Sequence, residues 1–542
     1  MAEQLPETAA WRRLDWHRAE LRHVHLRDLL ADDPTRGERL TAEAAGVTLD
    51  YSKHLVTDDT LELLRKLAAE RGVEERIAAM FRGERVNASE NRSALHVALR
   101  MPSSRSLVVG GVDVVKQVHE ELDRMGAFAE RVRSGDWTGA TGRPIRNVVN
   151  LGIGGSDLGP ALAYEALLPY TARSLTFRFV ANVDPADLAR ATDGLDPAET
   201  LFVVVSKTMG TLETITNARA AREWLAAVVG DDVSAHVVGV TTNVEAAAEL
   251  GIPPEQVFRM WDWVGGRTSL CSAVGISLAV ALGDEGFREL LAGFHGMDEH
   301  FATAPLGGNV PAIAGLLAVW YRGFFGAQTT AVVAYAHALR MFPAYLQQLE
   351  MESLGKCVTD VGEPVTVDTG AIVWGGEGTN VQHAVLQLLH QGTTLVPLDL
   401  VVFARPAEGA PERHDLLAAN AFAQAEALAL GRTAEELEDA GVPVGTVPHR
   451  VMPGNRPTSV LLAERLTPTT LGALIALYEH RVYTQAAIWG IDPFDQWGVE
   501  LGKELAARIA PELEPGWKRE LMHDPATNAL ITRYRRLRDA GS

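Results

Sequence analysis

The sequence predicts an α/β protein in which parallel sheets are flanked by helices. Short apolar runs recur along the chain, and they lack the polar alternation of a half-exposed strand. Segments with helical spacing separate these runs, which is typical of parallel strands covered on both faces. The pattern occurs twice, before and after residues 305–309, although no repeat is visible residue by residue. The sequence therefore predicts two α/β units with one sheet each.

Each of the two occurrences of this pattern, called here the first and the second round, contains four predicted strands. In the first round, residues 146–282, the apolar runs lie at 148–151, 176–180, 201–205 and 237–240. In the second round they lie at 330–335, 371–374, 400–403 and 459–462, with helices predicted at 343–353, 381–390 and 418–430. Runs of four to six apolar residues between turn signals are the length expected of buried strands.

The two ends of the chain differ from this pattern. Residues 1–110 are charged with helical spacing, and residues 86–100 suggest a capped helix that packs on the core. A chain of 542 residues is long enough for two to four domains. We predict a helical N-terminal region (1–110) packed on the core, two α/β domains (111–290 and 291–510) and a partly basic C-terminal arm (511–542).

Composition narrows the class of protein. Fifty Lys and Arg against 70 Asp and Glu give a net charge of −20, which argues against nucleic acid or an acidic membrane as partner. The longest apolar stretch, residues 312–336, is interrupted near Arg322 and Gly323, so we expect two buried elements there and no membrane span. Only two cysteines occur, without metal-ligand spacing, which favours a reduced cytoplasmic compartment and argues against a structural zinc site.

A glycine-rich loop follows the first predicted strand. Residues 152–159 read Gly-Ile-Gly-Gly-Ser-Asp-Leu-Gly, with Asp157 where a dinucleotide fingerprint needs its third glycine and Pro160 where a Walker A loop needs lysine. Glycines allow close approach to the backbone, and a helix start offers free amides to an anion. Gly155 and its neighbouring glycines could serve either the packing of a tight turn or the binding of a ligand. The hydroxyl of Ser156 favours ligand binding.

A second candidate loop follows the strand at 201–205. It carries three hydroxyls and one cation ahead of a predicted helix, from Ser206, Lys207, Thr208 and Thr211. Open α/β sheets bind ligands at the carboxyl ends of their strands, and several neutral donors suit a phosphomonoester. Because such residues are also common helix caps, a purely local role remains the alternative.

Four further side chains could carry chemistry. Arg267 follows a glycine pair, Gln348 and Glu352 are four residues apart on one predicted helix face, and His383 begins another helix. A carboxylate is a suitable general base, and an arginine can stabilise an oxyanion. By spacing alone, a surface ion pair for Arg267, a solvated Glu352 and a structural His383 are open alternatives.

Near the C-terminus, residues 490–503 combine a turn with a helix. Asp495 is a good candidate N-cap, and a helix from there would place Gln496 and Lys503 nearly on one face, two turns apart. An amide, an ammonium and free helix amides could hold an oxyanion-rich small molecule. A merely solvated lysine is the alternative.

Residues 494–503, Phe-Asp-Gln-Trp-Gly-Val-Glu-Leu-Gly-Lys, closely resemble the C-terminal signature of the phosphoglucose isomerase family. The blocks at 152–159, 206–214, 265–269, 347–356 and 378–392 precede it in the order of that family's motifs. The resemblance covers roughly residues 86–506. It implies two sugar-isomerase (SIS-type) domains, a homodimer, and no metal or organic cofactor.

The resemblance also implies an activity and a role for each residue. The activity is reversible isomerisation of glucose 6-phosphate and fructose 6-phosphate through a cis-enediol(ate), a step of glycolysis and gluconeogenesis. Glu352 would be the base, Arg267 would stabilise the oxyanion, and Gln348 would orient the sugar. His383, reaching a partner subunit's site, would open the ring together with Lys503. The remaining residues would bind substrate, mainly at its phosphate: Gly155, Ser156, Ser206, Lys207, Thr208, Thr211 and Gln496.

The chain departs from the family pattern at several places. Leu354 replaces an asparagine, Met209-Gly210 replaces an aromatic and a threonine, and residues 375–378 lack the common proline. Two other functions stay open beside the isomerase. One is a non-catalytic sugar-phosphate sensor, and the other is an isomerase acting on mannose 6-phosphate or having a second, epimerising activity.

Overall fold

The computed structural model describes residues 4–540. The chain forms two compact units, Met1–Phe494 and Asp495–Ser542. Both predicted sheets belong to the first unit, so the α/β fold class with parallel sheets flanked by helices is confirmed. The division into four domains stays a prediction.

The N-terminal part of the first unit contains helices and two short hairpins. Its elements are α1 (Ala9–Glu20), α2 (Leu26–Asp32), α3 (Arg36–Arg39), β1 (Thr41–Ala44), β2 (Val47–Lys53), α4 (Asp58–Glu70), α5 (Val73–Phe81), β3 (Val108–Val109), β4 (Val112–Asp113) and α6 (Val114–Ser134). The prediction of helix throughout residues 1–110 is therefore wrong at β1 and β2. In β2, Val47, Leu49 and Tyr51 are buried on alternate positions, which is the burial pattern of a strand.

The stretch 86–100 is also not the capped helix that the sequence suggested. Asn87 forms an isolated bridge with Arg92 across a turn at residues 88–91, and within this stretch helical structure is confined to the 3-10 helix His96–Arg100. All five residues of this turn are buried. Arg100 forms an ion pair with Asp298 there, a tertiary partner 198 residues away that no local pattern reveals.

The first sheet contains five parallel strands in the order β6-β5-β7-β8-β9. The elements are β5 (Asn147–Leu151), α7 (Gly155–Ala166), β6 (Thr176–Val180), α8 (Pro185–Thr192), β7 (Thr200–Val205), α9 (Leu212–Val229), β8 (Val237–Thr241), α10 (Val244–Glu249) and β9 (Val257–Arg259). The four predicted strands are confirmed, and β9 is an addition of three residues. Strand order reverses between β5 and β7, because β6 lies on one side of β5 and the later strands on the other.

The second sheet has six strands in the order β1-β2-β13-β12-β10-β11. After α11 (Ile276–Thr303) and α12 (Val310–Phe324) come β10 (Thr329–Ala334), α13 (Phe342–Leu346), β11 (Ile372–Glu377), α14 (Gln382–Gln391), β12 (Leu398–Phe403), α15 (Pro411–Leu430), α16 (Ala434–Asp439), α17 (Val447–Arg450), β13 (Thr458–Ala463) and α18 (Pro468–Trp489). Strands β10 to β13 are parallel, as predicted, whereas β2 pairs antiparallel with β13.

Helix α18 lies at the centre of the main core. It is buried continuously over residues 471–489 and packs against α11 and α12. Gly472 permits a close approach to α11, because a Cβ there would lie 2.2 Å from the carbonyl oxygen of Leu290. The apolar stretch 312–336 resolves into α12 and β10, as predicted. No helix within residues 4–540 has both the length and the apolar run needed to cross a membrane.

The second unit is helical in its described residues. A 3-10 turn at Trp497–Val499 precedes α19 (Glu500–Glu512), and α20 (Pro525–Asp539) follows. The predicted N-cap at Asp495 is wrong, since α19 begins five residues later. Gln496 therefore precedes the helix that contains Lys503, and the two do not share a helix face.

Candidate active site

The glycine loop connects β5 to α7 and lies against a second turn of the chain. Gly154 has φ 60° and ψ −125°, a conformation that side-chain-bearing residues rarely adopt. A Cβ on Gly155 would lie 1.9 Å from the carbonyl oxygen of Gly266. The two backbones are thus in contact, and this contact brings the glycine loop beside Arg267.

Ser156 is placed by a polar residue inside β5. The Asn150 side-chain amide donates to the Ser156 carbonyl oxygen at 3.2 Å, and Ser277 Oγ donates to Asn150 Oδ1 at 3.3 Å. The Ser156 hydroxyl is half-buried and forms no hydrogen bond with another residue in the described range 4–540. Asn150 was not among the predicted site residues, although a polar side chain in an apolar strand is a signal for it.

The second loop follows β7, the strand next to β5. The two loops therefore leave the same edge of the sheet on either side of its reversal point, where open α/β sheets bind ligands. Ser206 Oγ donates to Thr211 Oγ1 at 3.3 Å, and Thr208 is exposed. The loop thus presents three hydroxyls ahead of the N-terminus of α9.

The ammonium group of Lys207 is bound to backbone carbonyl oxygens and is not a free surface charge. Its Nζ donates to the carbonyl oxygens of Asp262 and Val264, at 2.7 and 2.9 Å. Thr241 and Thr242 in turn donate to the Lys207 carbonyl oxygen. Burial lowers the pKa of Lys207, with Arg92 contributing in the same direction. The side chain therefore fastens the loop to the segment after β9, and the Lys207 carbonyl oxygen is engaged as well. Of the polar groups of Lys207, the backbone N–H is the one without a hydrogen-bond partner among residues 4–540.

Asp157 follows Ser156 in the first turn of α7. Its Oδ1 is buried and forms no hydrogen bond among residues 4–540. Burial, together with the charge of Asp187, raises the pKa of Asp157 to about 7. Near neutral pH the carboxyl is therefore partly protonated, which reduces its repulsion of an anion at the start of this helix.

Arg267 and Glu352 form the centre of the site. Arg267 is buried in a 3-10 turn, and its Nη1 lies 3.4 Å from Glu352 Oε2. Its Nε donates to Ser353 Oγ at 2.7 Å, and its Nη2 donates to the Pro493 carbonyl oxygen at 2.6 Å. The guanidinium is thus held in one orientation against a carboxylate whose side chain is 20% exposed. Ser353 was missed as a site residue, although it adjoins Glu352 in the sequence.

Gln348 and Glu352 lie in a π-helical turn, Gln347–Glu352, that follows α13. The predicted helix at 343–353 therefore contains a wider turn, a geometry that is frequent at functional sites. A Cβ on Gly154 would lie 3.0 Å from Gln348 Nε2, so Gln348 borders the glycine loop. The structure thus brings together Gly155, Arg267, Gln348 and Glu352, which are up to 197 residues apart in the sequence.

The three other side chains predicted to take part are His383, Gln496 and Lys503. His383 is the second residue of α14, and its exposed side chain forms no hydrogen bond or ion pair within residues 4–540. Gln496 and Lys503 belong to the second unit. Lys503 Nζ is 3.0 Å from Glu500 Oε1 on the exposed surface of α19.

Two of the departures from the family pattern, at Leu354 and Met209, are accommodated by packing. Leu354 is 1% exposed and belongs to the main core, where an asparagine would need hydrogen-bond partners. Met209 has φ 50°, and its side chain packs in the apolar cluster beside the first sheet.

No group of three or more potential metal-binding His, Cys, Asp or Glu side chains occurs in the described part of the chain. Cys271 and Cys357 are both free thiols.

Comparison with known proteins identifies the family. The family model described as phosphoglucose isomerase matches residues 50–531. The chain is 60% identical over 534 residues to glucose-6-phosphate isomerase of Roseiflexus castenholzii, covering 98% of both chains, and 58% identical over 548 residues to that of Deinococcus deserti, covering 99% of this chain and all of the other.

A solved structure agrees with the sequence relatives. The crystal structure of a glucose-6-phosphate isomerase from Chlamydia trachomatis superimposes with a TM-score of 0.86 at 31% identity, covering 98% of this chain and all of that one. The predicted pair of sugar-isomerase sheets is thereby confirmed. This chain belongs to the phosphoglucose isomerase family.

Proposed function

We propose that this protein interconverts glucose 6-phosphate and fructose 6-phosphate. The observation that carries the proposal is the buried Arg267 guanidinium 3.4 Å from the Glu352 carboxylate, beside the loops at the carboxyl edge of the first sheet. The relatives named glucose-6-phosphate isomerase support the same substrate pair. A sensor that only binds sugar phosphate would need the loops but not this pair of side chains.

The two loops supply the phosphate site. Hydroxyls of Ser156, Ser206, Thr208 and Thr211 stand near the N-termini of α7 and α9, where unpaired amides favour an anion. The net charge of −20 gives no general attraction for a phosphate. Local neutral donors and helix dipoles therefore have to bind it, with Gly155 allowing close backbone approach. Gln496 of the second unit is also assigned to phosphate binding, on the family resemblance.

Glu352 is the general base of the proposed reaction. Starting from open-chain glucose 6-phosphate, it takes the proton from C2, and the electron pair moves to form the C1–C2 double bond and an oxyanion on O1. Arg267 stabilises this charge, and Gln348 orients the sugar. A proton moves from O2 to O1, and Glu352 then returns its proton to C1 as the C2 carbonyl forms. Atoms and charge balance without an external reactant.

Ring opening is assigned to His383 and Lys503, and we infer that His383 acts in the site of a second copy. The exposed His383 imidazole is without a polar partner inside residues 4–540, which is consistent with a partner across an interface. Leu530, Tyr534 and Leu537 also form an exposed apolar row on α20, at the spacing of one helix face. These features support a homodimer with shared sites.

The proposed setting is the cytoplasm, in glycolysis and gluconeogenesis. The two free thiols favour a reducing compartment. The negative net charge disfavours nucleic acid and acidic membranes as partners.

The first test is the rate of fructose 6-phosphate formation from glucose 6-phosphate by wild type and Glu352→Gln. We expect robust turnover in wild type and a loss of about 10³-fold in the variant, because the amide cannot accept the C2 proton. Glu120→Gln, an exposed change on α6, is the matched control. Binding of sugar phosphate without turnover by wild type would replace the isomerase with the sensor.

The shared site can be tested with the same variants. Mixing Glu352→Gln and His383→Ala subunits under conditions of proven exchange should restore part of the wild-type rate, since one hybrid site has both intact residues. No recovery would contradict the role of His383 across the interface.

A further inference from the structure

The π turn that carries Gln348 and Glu352 has a buried carboxylate on its inner side. Glu350, in the middle of this turn, is 2% exposed. Gln348 borders the glycine loop and Glu352 faces Arg267, whereas Glu350 faces the second sheet and α18. The proposed isomerisation gives Glu350 no role, so its burial needs another explanation.

Glu350 shares a small cavity with two other buried polar groups. The cavity has about 30 Å³ of space for water centres and is lined by Glu350, Arg481 and His54, among others. Within residues 4–540, Glu350 Oε1, Arg481 Nε and His54 Nδ1 form no hydrogen bond. Arg481 Nε is 3.9 Å from Glu350 Oε1, too far for a direct bond. A water needs about 10–15 Å³ of such space, so the cavity has room for about two.

Hydrogen bonds to neighbouring side chains hold Arg481 and His54 in place. Arg481 Nη1 donates to Asp399 Oδ2, which also accepts from the Tyr478 hydroxyl at 3.0 Å. His54 Nε2 is 2.9 Å from Ser459 Oγ. Burial raises the pKa of Glu350, an effect that Arg481 opposes and Asp399 reinforces. Arg481 is thus anchored by β12 and α18, and it presents a fixed cation to the inner side of the π turn.

A buried ion pair contributes little net stability, because desolvation offsets the attraction. What such a pair provides is a defined geometry. An apolar residue at position 350 would leave the turn free to relax toward an ordinary α-helix, which rotates the side chains that follow. A shift of about 1 Å at a catalytic group can cost about 10²-fold in rate.

We propose that Glu350 is a positioning residue, held to Arg481 through one or two buried waters, and that this hydrated pair keeps the π turn in the register that presents Glu352 and Gln348. The inference rests on the isomerase function proposed above. It concerns residues that do not touch the substrate.

The test compares Glu350→Gln with Glu120→Gln. We expect kcat to fall 10- to 100-fold, while KM changes less than about threefold because the phosphate loops lie on the other sheet. With glucose 6-phosphate deuterated at C2, the fraction of label that appears at C1 of the product should also fall, since a displaced base loses more label to water. A rate and a transferred fraction equal to those of the control would overturn the proposal.

Two further measurements keep the test decisive. Arg481→Lys retains the positive charge but removes the planar guanidinium group. If Glu350→Gln does not fold, Arg481→Lys replaces it in the test, and its kcat should likewise fall while KM changes little. Amide hydrogen exchange at residues 347–352 requires no turnover and should be at least tenfold faster in either variant. If wild type lacks isomerase activity but exchange still accelerates, the proposed function fails and the positioning of the turn stands. Unchanged exchange and unchanged kcat would refute the positioning role.

Discussion

Replacing Gly155 by alanine should disrupt the contact on which the site is assembled. The added Cβ would lie 1.9 Å from the Gly266 carbonyl oxygen, 2.1 Å from its carbon and 2.7 Å from the Arg267 nitrogen. The first distance is about 1.5 Å short of normal van der Waals separation. All three atoms belong to the backbone, so no side-chain rotation relieves the clash. Either α7 or the turn carrying Arg267 must move.

The size of that movement sets the expected effect. A displacement of about 1 Å between Arg267 and the glycine loop should lower kcat/KM by at least about 100-fold. Overpacking in a dense region should also lower the free energy of unfolding by about 1–3 kcal/mol. We would measure glucose 6-phosphate production from fructose 6-phosphate, coupled to its oxidation by an NADP-dependent dehydrogenase, together with urea unfolding.

Gly266→Ala is the matched control on the other side of the same contact. A Cβ on Gly266 would meet no heavy atom within 4 Å, so this variant should retain activity within about threefold and wild-type stability. The reasoning is refuted if Gly155→Ala is as active and as stable as Gly266→Ala. That result would mean that the loop and the Arg267 turn can separate without consequence.

Two other predictions concern a buried ion pair and a tethered loop. Asp298→Asn should lower the free energy of unfolding at pH 7 by about 3–5 kcal/mol, because the buried Arg100 and His480 lose the negative charge that they share, although Arg100 keeps Glu479 as a partner. Asp284→Asn, at a half-exposed pair, should cost at most about 1 kcal/mol. Burial opposes ionisation of Asp298, but Arg100 and His480 outweigh burial and lower the pKa of Asp298 to about 2. The stability that the ionised Asp298 contributes to wild type should therefore be lost as the pH falls from about 4 to 2. If Asp298→Asn loses the same amount of stability over this pH range, the ion pair is not its source. Lys207→Ala should raise KM and the inhibition constant of inorganic phosphate about tenfold with little change in kcat, since the loop loses its two carbonyl tethers. The exposed Lys116→Ala is its control, and equal KM values in steady-state kinetics would exclude the tether.

The accuracy of the sequence predictions follows from how local each signal is. The four predicted strands of the first sheet begin and end within about one residue of the predicted bounds, because continuous apolar runs between turns specify buried strands. The fifth strand, β9, has only three residues and was not predicted. The hairpin β1–β2 was not predicted, although Val47, Leu49 and Tyr51 alternate with polar residues, as in a strand with one face buried and the other exposed. The predicted N-cap at Asp495 was wrong because a 3-10 turn intervenes before α19.

The site divides in the same way. The sequence by itself determined which segments carry hydroxyl donors, a candidate base and a cation, because glycine loops, hydroxyl clusters and helix starts are encoded by neighbouring residues. Only the tertiary structure decided that Arg267 faces Glu352, since those residues are 85 positions apart and meet through backbone contact at Gly155 and Gly266. It also decided that Lys207 is a tether and that Glu350 is buried opposite Arg481. Such pairings depend on the packing of distant elements, for which no local pattern exists.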